Sequence, residues 1–170
     1  MVQIRIENNP KLAIEIMRKA GQRLAETHRR KYPFTWNKEY LTQEYINENL
    51  NVDPSEYVVV YMDDKPIASA ILQHGDKTQW ANWPTKKDAL YGYKYAGNPD
   101  YPIFKTKIIF DALKKYAVDI GVPVIRIDIA DYEVAKKRLY ESQGFKTVAI
   151  SQDDDSPEYY LLMEYDPRVR

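Results

Sequence analysis

The order of strand-like and helix-like segments restricts the fold of this chain more than any other feature. The stretch "VQIRIE" alternates apolar and polar side chains, and two β-branched stretches, "YVVVYM" and "IASAILQH", flank the tight turn "DDKP". Later, "PVIRIDIA" and "FKTVAI" enclose the helical pattern "DYEVAKKRLYESQ". Alternation is typical of strands, and a spacing of about 3.6 residues is typical of helices. Early hairpins followed by strand–helix–strand units predict an α/β or α+β chain with one mixed sheet.

Helical spacing occurs in four segments of the sequence. We expect Asn9 to cap the first helix, with Pro10 in its first turn, and Asp131 to cap the last. Gly144 ends the last helix in this prediction. The sequence has no internal repeat and no linker, so we expect a single domain over residues 1–170. The predicted helices cover residues 10–27, a segment beginning near residue 37, residues 104–120 and residues 131–143.

The composition excludes several classes of protein. Lysine plus arginine equals aspartate plus glutamate, at 25 each, which argues against a nucleic-acid binder because such proteins need a basic surface. The chain has no cysteine, so disulfides, thiolate metal sites and cysteine nucleophiles are excluded. The N-terminus lacks the apolar core of a signal peptide, and no apolar run is long enough to cross a bilayer. We therefore expect a cytoplasmic protein that contacts neither nucleic acid nor membrane.

Several common functional motifs are missing from the sequence. The six glycines nowhere form G-x-G, which excludes the standard dinucleotide fingerprint and the Walker phosphate loop. The two histidines, His28 and His74, have no partner at metal-ligand spacing, so we expect no metal. We interpret His74 as structural or simply exposed, because it lies where a strand ends.

The segment "VIRIDIA" followed by "RLYESQGF", in this order of elements, resembles the GCN5-related N-acetyltransferases, or GNAT superfamily. "DALYGYKYA", after a loop with two tryptophans, is similar to the strand that faces the acetyl thioester in that family. The resemblance covers almost the whole chain by element order and has specific sequence support over about residues 88–145. It implies an acyl-CoA N-acyltransferase fold, with a central mixed, mostly antiparallel sheet flanked by about four helices. The matching residues of the last helix are Leu139, Tyr140, Glu141, Gly144 and Phe145.

The resemblance implies a reaction as well as a fold. The co-substrate is acetyl-CoA, and the acceptor is a primary amine of a small molecule or peptide. Tyr140 is the general acid, since a neutral phenol can hold a proton until the CoA thiolate leaves. The backbone at Lys94, Tyr95 and Ala96 supplies the oxyanion donor and pairs with the pantetheine arm like an extra strand.

The family's pyrophosphate loop, Q/R-x-x-G-x-G/A, falls on "YPIFKT", where neither glycine is present. Lys105, Thr106 and Lys107 lie at the predicted helix N-terminus, which favours anions, so we assign them to the cofactor phosphates. The alternative is an ordinary solvated first turn. In the last helix, Glu133 occupies the family's asparagine position, which faces the cofactor, and Lys136 occupies an alanine position.

These departures motivate an alternative function. The chain would keep the GNAT fold but act as a binding or regulatory module without catalysis, with weakened or altered acyl-CoA binding. A third alternative is the use of a different acyl donor.

Aromatic residues near the predicted site have more than one interpretation. Tyr91, Tyr93 and Tyr95 share one side of a regular strand, where they could line a cleft, pack together or form a homodimer contact. Trp80 and Trp83 lie in a polar loop, which suggests binding. Tyr140 could instead be a core aromatic, although we expect the buried face of its helix to be Ala135, Leu139 and Ser142.

Four residues are candidates for the base that deprotonates the amine: His74, Glu39, Asp88 and Glu141.

Overall fold

A computed structural model describes residues 3–28, 55–75, 79–84, 88–102, 106–152 and 157–169 of the chain. The helix predicted to begin near residue 37 lies outside these residues, and so do the candidate base Glu39 and the candidate phosphate ligand Lys105.

The described residues form seven strands and three helices around one mixed sheet. In chain order the elements are β1 (Ile4–Asn8), α1 (Pro10–His28), β2 (Ser55–Met62), β3 (Lys65–Gln73), β4 (Ala89–Gly97), α2 (Thr106–Asp119), β5 (Val124–Ala130), α3 (Val134–Ser142), β6 (Lys146–Gln152) and β7 (Tyr159–Tyr165). The strand order across the sheet is β1-β2-β3-β4-β5-β7-β6. Strands β4 and β5 pair in parallel, whereas β1–β2, β2–β3, β5–β7 and β6–β7 pair antiparallel. The predicted mixed, mostly antiparallel sheet is therefore confirmed.

The chain divides into two compact units. The first unit contains Met1–Gln73 and Tyr93–Ala112, and the second contains His74–Gly92 and Leu113–Arg170. Strand β4 and helix α2 each contribute residues to both units. None of the helices within the described ranges is long and apolar enough to cross a membrane.

The core of the first unit lies between α1 and the strands β2 and β3. Asn9 caps α1 as predicted, because its Oδ1 accepts a hydrogen bond of 3.1 Å from the Leu12 amide. Apolar residues three and four apart then place one face of α1 against the sheet. The buried members of this core are Ala13, Ile14, Ile16, Met17, Ala20, Tyr57, Val59, Tyr61, Ile71 and Ala96.

The second unit is built around β5, which pairs with β4 on one side and β7 on the other. Arg126 of β5 is 1% exposed. Its Nε donates to Glu164 Oε2 at 2.8 Å, and its Nη1 donates to the Pro84 carbonyl and to Tyr91 Oη, each at 2.8 Å. The Arg126 Cζ also lies 4.5 Å from the centroid of the Trp80 ring. A buried cation therefore ties the segment before β4 to the middle of the sheet.

The interpretation of Trp80 as a binding residue is wrong. Its side chain is 2% exposed, and its ring stacks edge-on against Tyr91 with centroids 5.9 Å apart. The polar sequence around Trp80 misled the prediction, because the ring also packs against Arg126, a charged residue far along the chain. Trp83 is 38% exposed and stays a candidate contact residue.

Candidate active site

Tyr140 lies in the last turn of α3 and is the buried residue of that helix. The predicted buried face is wrong, since Ala135 and Leu139 are exposed and Ser142 is exposed as well. The helix has only nine residues and few apolar ones, so periodicity gave too weak a signal to choose its face. The alternative that Tyr140 is a core aromatic is therefore correct as far as its burial is concerned.

The stretch after Tyr140 ends the helix with a Schellman motif. Gly144 has a φ of +86°, and its amide donates to the Glu141 carbonyl at 2.9 Å. The Phe145 amide donates to the Tyr140 carbonyl at 3.1 Å. The rings of Tyr140 and Phe145 meet edge-on with centroids 5.7 Å apart, which is the hydrophobic contact that commonly accompanies this motif. Tyr140 thus helps to end the helix, whatever else it does.

The start of α3 differs from the prediction in its N-cap residue, and it pairs the two residues that depart from the family pattern. The N-cap is Glu133 instead of Asp131, and the Glu133 side chain makes no capping hydrogen bond. Asp131 lies in the preceding turn, where its amide donates to the Tyr159 carbonyl. The Glu133 Oε1 lies 2.5 Å from Lys136 Nζ. The two residues that depart from the family pattern in this helix therefore form an ion pair, which offsets the carboxylate charge.

Electrostatics keep the Tyr140 phenol protonated. Burial raises the pKa of Tyr140 well above its ordinary value, and the carboxylates of Glu133 and Asp128 raise it further. A phenol in this environment stays neutral throughout the physiological range. It can donate a proton to a thiolate that is desolvated in the same way, because burial raises the proton affinity of both groups.

The predicted oxyanion segment, Lys94 to Ala96, lies in the first unit. Lys94 has a φ of +47°, a left-handed conformation that is rare for a residue with a side chain. The prediction that Tyr91, Tyr93 and Tyr95 share one side of β4 assumed a regular strand. The left-handed conformation of Lys94 interrupts that regularity between Tyr93 and Tyr95. The ring of Tyr95 contacts Phe110 of α2, with centroids 5.4 Å apart, and Ala96 belongs to the core. Burial also lowers the pKa of the Lys94 ammonium.

The predicted phosphate ligands Thr106 and Lys107 form the start of α2, in the first unit. The Lys107 Nζ lies 2.5 Å from Asp111 Oδ2, one turn along the same helix. An anionic ligand would have to compete with Asp111 for this ammonium group. Tyr95 and these two residues are brought into the same unit, while Tyr140 and Glu133 lie in the second unit.

The described candidate bases are all near the surface. Asp88 accepts a hydrogen bond of 2.6 Å from Arg168 Nη1, so its carboxylate is engaged in an ion pair. Glu141 is exposed and lies 3.7 Å from Lys137 Nζ. His74 is exposed just after the end of β3, as predicted. No three His, Asp or Glu side chains in the described part of the chain are grouped so that they could hold a metal ion.

No protein-family model matches the sequence, and no curated protein matches it. The structure matches the aminoglycoside acetyltransferase AAC(6')-Ib, solved with coenzyme A and kanamycin, at a TM-score of 0.68 and 16% identity, over 99% of this chain and 96% of that chain. The chain has the GNAT fold.

Two further GNAT-fold structures match over nearly the whole chain. A protein described as a GNAT-family acetyltransferase from Desulfovibrio desulfuricans matches at a TM-score of 0.64 and 14% identity, over 98% of this chain and 99% of that chain. The ribosomal-protein-S18-alanine N-acetyltransferase of Escherichia coli matches at a TM-score of 0.60 and 17% identity, over 95% of this chain and 92% of that chain. The GNAT fold implied by the sequence is therefore confirmed from β1 to β7.

Proposed function

We propose that this chain is an N-acetyltransferase that moves acetyl from acetyl-CoA to a primary amine of a small molecule or peptide. Residues 1–170 form a single acetyltransferase domain in this proposal. The observation that supports it most is the buried, protonated Tyr140 at the end of α3, in a chain that matches an acetyltransferase solved with coenzyme A over 99% of its length.

The proposed reaction includes three proton transfers. The neutral amine attacks the thioester carbonyl carbon, and the carbonyl oxygen becomes an oxyanion. The C–S bond then breaks, the amide forms, and the CoA thiolate takes a proton from the Tyr140 phenol. The attacking nitrogen releases a proton to solvent, and the phenolate is reprotonated from solvent. The raised pKa of Tyr140 means that the phenol carries its proton before each turnover and that the resulting phenolate is rapidly reprotonated.

The oxyanion donor in this proposal is the backbone at Lys94, Tyr95 and Ala96. A left-handed residue within a strand turns neighbouring amide groups toward a common side, as in backbone sites for anions. Such strain costs about 1–3 kcal/mol and tends to occur where function requires it. The φ of +47° at Lys94 supports the assignment.

The cofactor phosphates are assigned to Lys105, Thr106 and Lys107 at the start of α2. The helix dipole favours an anion there even without glycines, and Lys107 would exchange Asp111 for a phosphate oxygen. Glu133 faces the cofactor in this proposal, and its ion pair with Lys136 limits the repulsion.

Steady-state release of CoA thiol, measured with a panel of primary amines, tests the proposal. We expect turnover by the wild type, and we expect Tyr140→Phe to lower kcat by roughly 100-fold with little change in KM. Tyr159→Phe is the matched control, because Tyr159 is 46% exposed on β7 and should keep full activity. Equal kcat values for wild type and Tyr140→Phe would remove Tyr140 from the mechanism.

A binding module without catalysis is the second candidate function. The absence of glycines from "YPIFKT" and the pairing of Lys107 with Asp111 favour it. This candidate predicts no turnover of any amine and identical behaviour of wild type and Tyr140→Phe. Mass spectrometry of ligands retained through purification distinguishes acetyl-CoA, another acyl-CoA and no cofactor.

A further inference from the structure

Lys114 is a half-buried lysine of α2 that contacts the end of α3. Its Nζ donates a hydrogen bond of 2.6 Å to the Gln143 carbonyl, and Gln143 is the C-cap of α3. The last carbonyls of a helix have no partner within the helix, and they form the negative end of its dipole. The Lys114 ammonium therefore stabilises the turn that carries Tyr140.

The same ammonium also begins a chain of ring contacts. Lys114 Nζ lies 4.3 Å from the centroid of the Tyr165 ring. The Tyr165 ring lies 5.8 Å from that of Phe145, which in turn lies 5.7 Å from that of Tyr140. A Cβ built on Gly144 would lie 3.6 Å from two carbons of the Tyr165 ring, so the backbone passes close against this stack.

Two separate routes thus connect Lys114 with Tyr140, and all of their members lie in the second unit. One route is the backbone, through the Gln143 carbonyl. The other runs through the rings of Tyr165 and Phe145. Both end at the residue whose phenol must reach the leaving thiolate within hydrogen-bonding distance, where an error of about 1 Å can cost up to roughly 100-fold in rate.

We propose that Lys114 is a positioning residue that holds the Tyr140 phenol in place for proton transfer. The proposal rests on the proposed acetyltransferase function. Neither Lys114 nor Tyr165 is a reacting group in that function, so in this proposal Lys114 acts on the reaction through Tyr140. The dependence of the Lys114 effect on the presence of the Tyr140 phenol can be measured directly.

The test is a double-mutant cycle of Lys114→Met and Tyr140→Phe, read out as kcat and KM for acetyl-CoA. We expect Lys114→Met to lower kcat about tenfold with KM unchanged. In the Tyr140→Phe background the same substitution should leave kcat unchanged. Lys114→Arg keeps the cation and a donor, so it should recover most of the loss. Lys115→Met, on the exposed neighbour that pairs with Asp119, is the matched control and should behave as wild type.

Three outcomes would overturn the inference. A loss of kcat of equal size in both backgrounds would show that Lys114 acts elsewhere, and an unchanged kcat in Lys114→Met would show that it does not act at all. A wild type that turns over no amine would overturn both the proposed function and this inference, and is recognised before any variant is compared. If Lys114→Met does not fold, Tyr165→Leu interrupts the ring route instead and must show the same dependence on Tyr140.

Discussion

At the scale of a single residue, Tyr140 has a structural role at the end of α3, and the same burial bears on its proposed role as a proton donor. Its ring packs on Phe145 and completes the end of α3, while its phenol is removed from solvent. Desolvation disfavours the phenolate, as do the carboxylates of Glu133 and Asp128. Tyr140, which packs against Phe145 at the end of α3, therefore also has a phenol that stays protonated.

The raised pKa of Tyr140 predicts how stability depends on pH. Below a pH of about 10 the phenol is protonated in both folded and unfolded chains, so its favourable contribution is fully present. Above about pH 10 the unfolded chain releases this proton and the folded chain keeps it, so stability falls with a slope of up to about 1.4 kcal/mol per pH unit. The difference in unfolding free energy between wild type and Tyr140→Phe, measured by urea titration, should therefore shrink above about pH 10.

The matched control for that measurement is Tyr159→Phe, because the Tyr159 side chain is exposed on β7. This variant reports what the loss of an exposed hydroxyl does over the same range. A constant difference for Tyr140→Phe would mean that the folded chain ionises the Tyr140 phenol as readily as the unfolded one.

At the scale of elements, the end of α3 depends on the conformation of Gly144. Its φ of +86° is unfavourable for any residue with a side chain, although a Cβ there would meet no atom closer than 3.6 Å. Gly144→Ala should therefore cost about 1 kcal/mol of unfolding free energy through backbone strain alone. Gly75→Ala is the control, because a Cβ added there would have no atom within 4 Å and its φ is not left-handed. Equal stability of the two variants in thermal or urea unfolding would argue against the Schellman motif.

The cluster around Arg126 joins β5, β7 and the segment before β4. Arg126→Met removes the cation facing the Glu164 carboxylate, whose side chain is only 11% exposed. We expect a loss of about 3–5 kcal/mol of unfolding free energy, since breaking a buried pair leaves a charge in a poorly solvated place. The double variant Arg126→Met with Glu164→Gln should recover part of the loss. Equal stability of the single and double variants would show that the Glu164 carboxylate left behind carries no desolvation cost.

The candidate site was only partly predictable from sequence, and particular residues show why. Gly144 and Phe145 obey local rules of helix termination, so their places were predicted correctly. The side of α3 that is buried, the burial of Trp80 and the contact of Lys114 with Gln143 depend on partners distant in sequence. Local spacing carries no information about such partners.

At the scale of the whole molecule, the order of elements predicted one mixed sheet, and the resemblance carried by "VIRIDIA" and "RLYESQGF" implied the GNAT fold. Alternation and helical spacing are local properties, and the strand-like patterns placed β1, β2, β3, β5 and β6. The strand order β5-β7-β6 was not predicted, because local spacing does not say which strand inserts between two others. The match to AAC(6')-Ib over 99% of the chain confirms the architecture, and the proposed activity depends on whether this fold still binds its cofactor.

Calorimetric titration of the full chain with acetyl-CoA tests that dependence most directly. We expect saturable binding of one acetyl-CoA per chain. Lys107→Met should weaken this binding, because it removes a proposed phosphate ligand. Lys115→Met should leave the binding unchanged, because it removes an exposed lysine of the same helix. No heat of binding at cofactor concentrations up to about 1 mM, corresponding to a binding free energy weaker than about −4 kcal/mol, would contradict the proposed function.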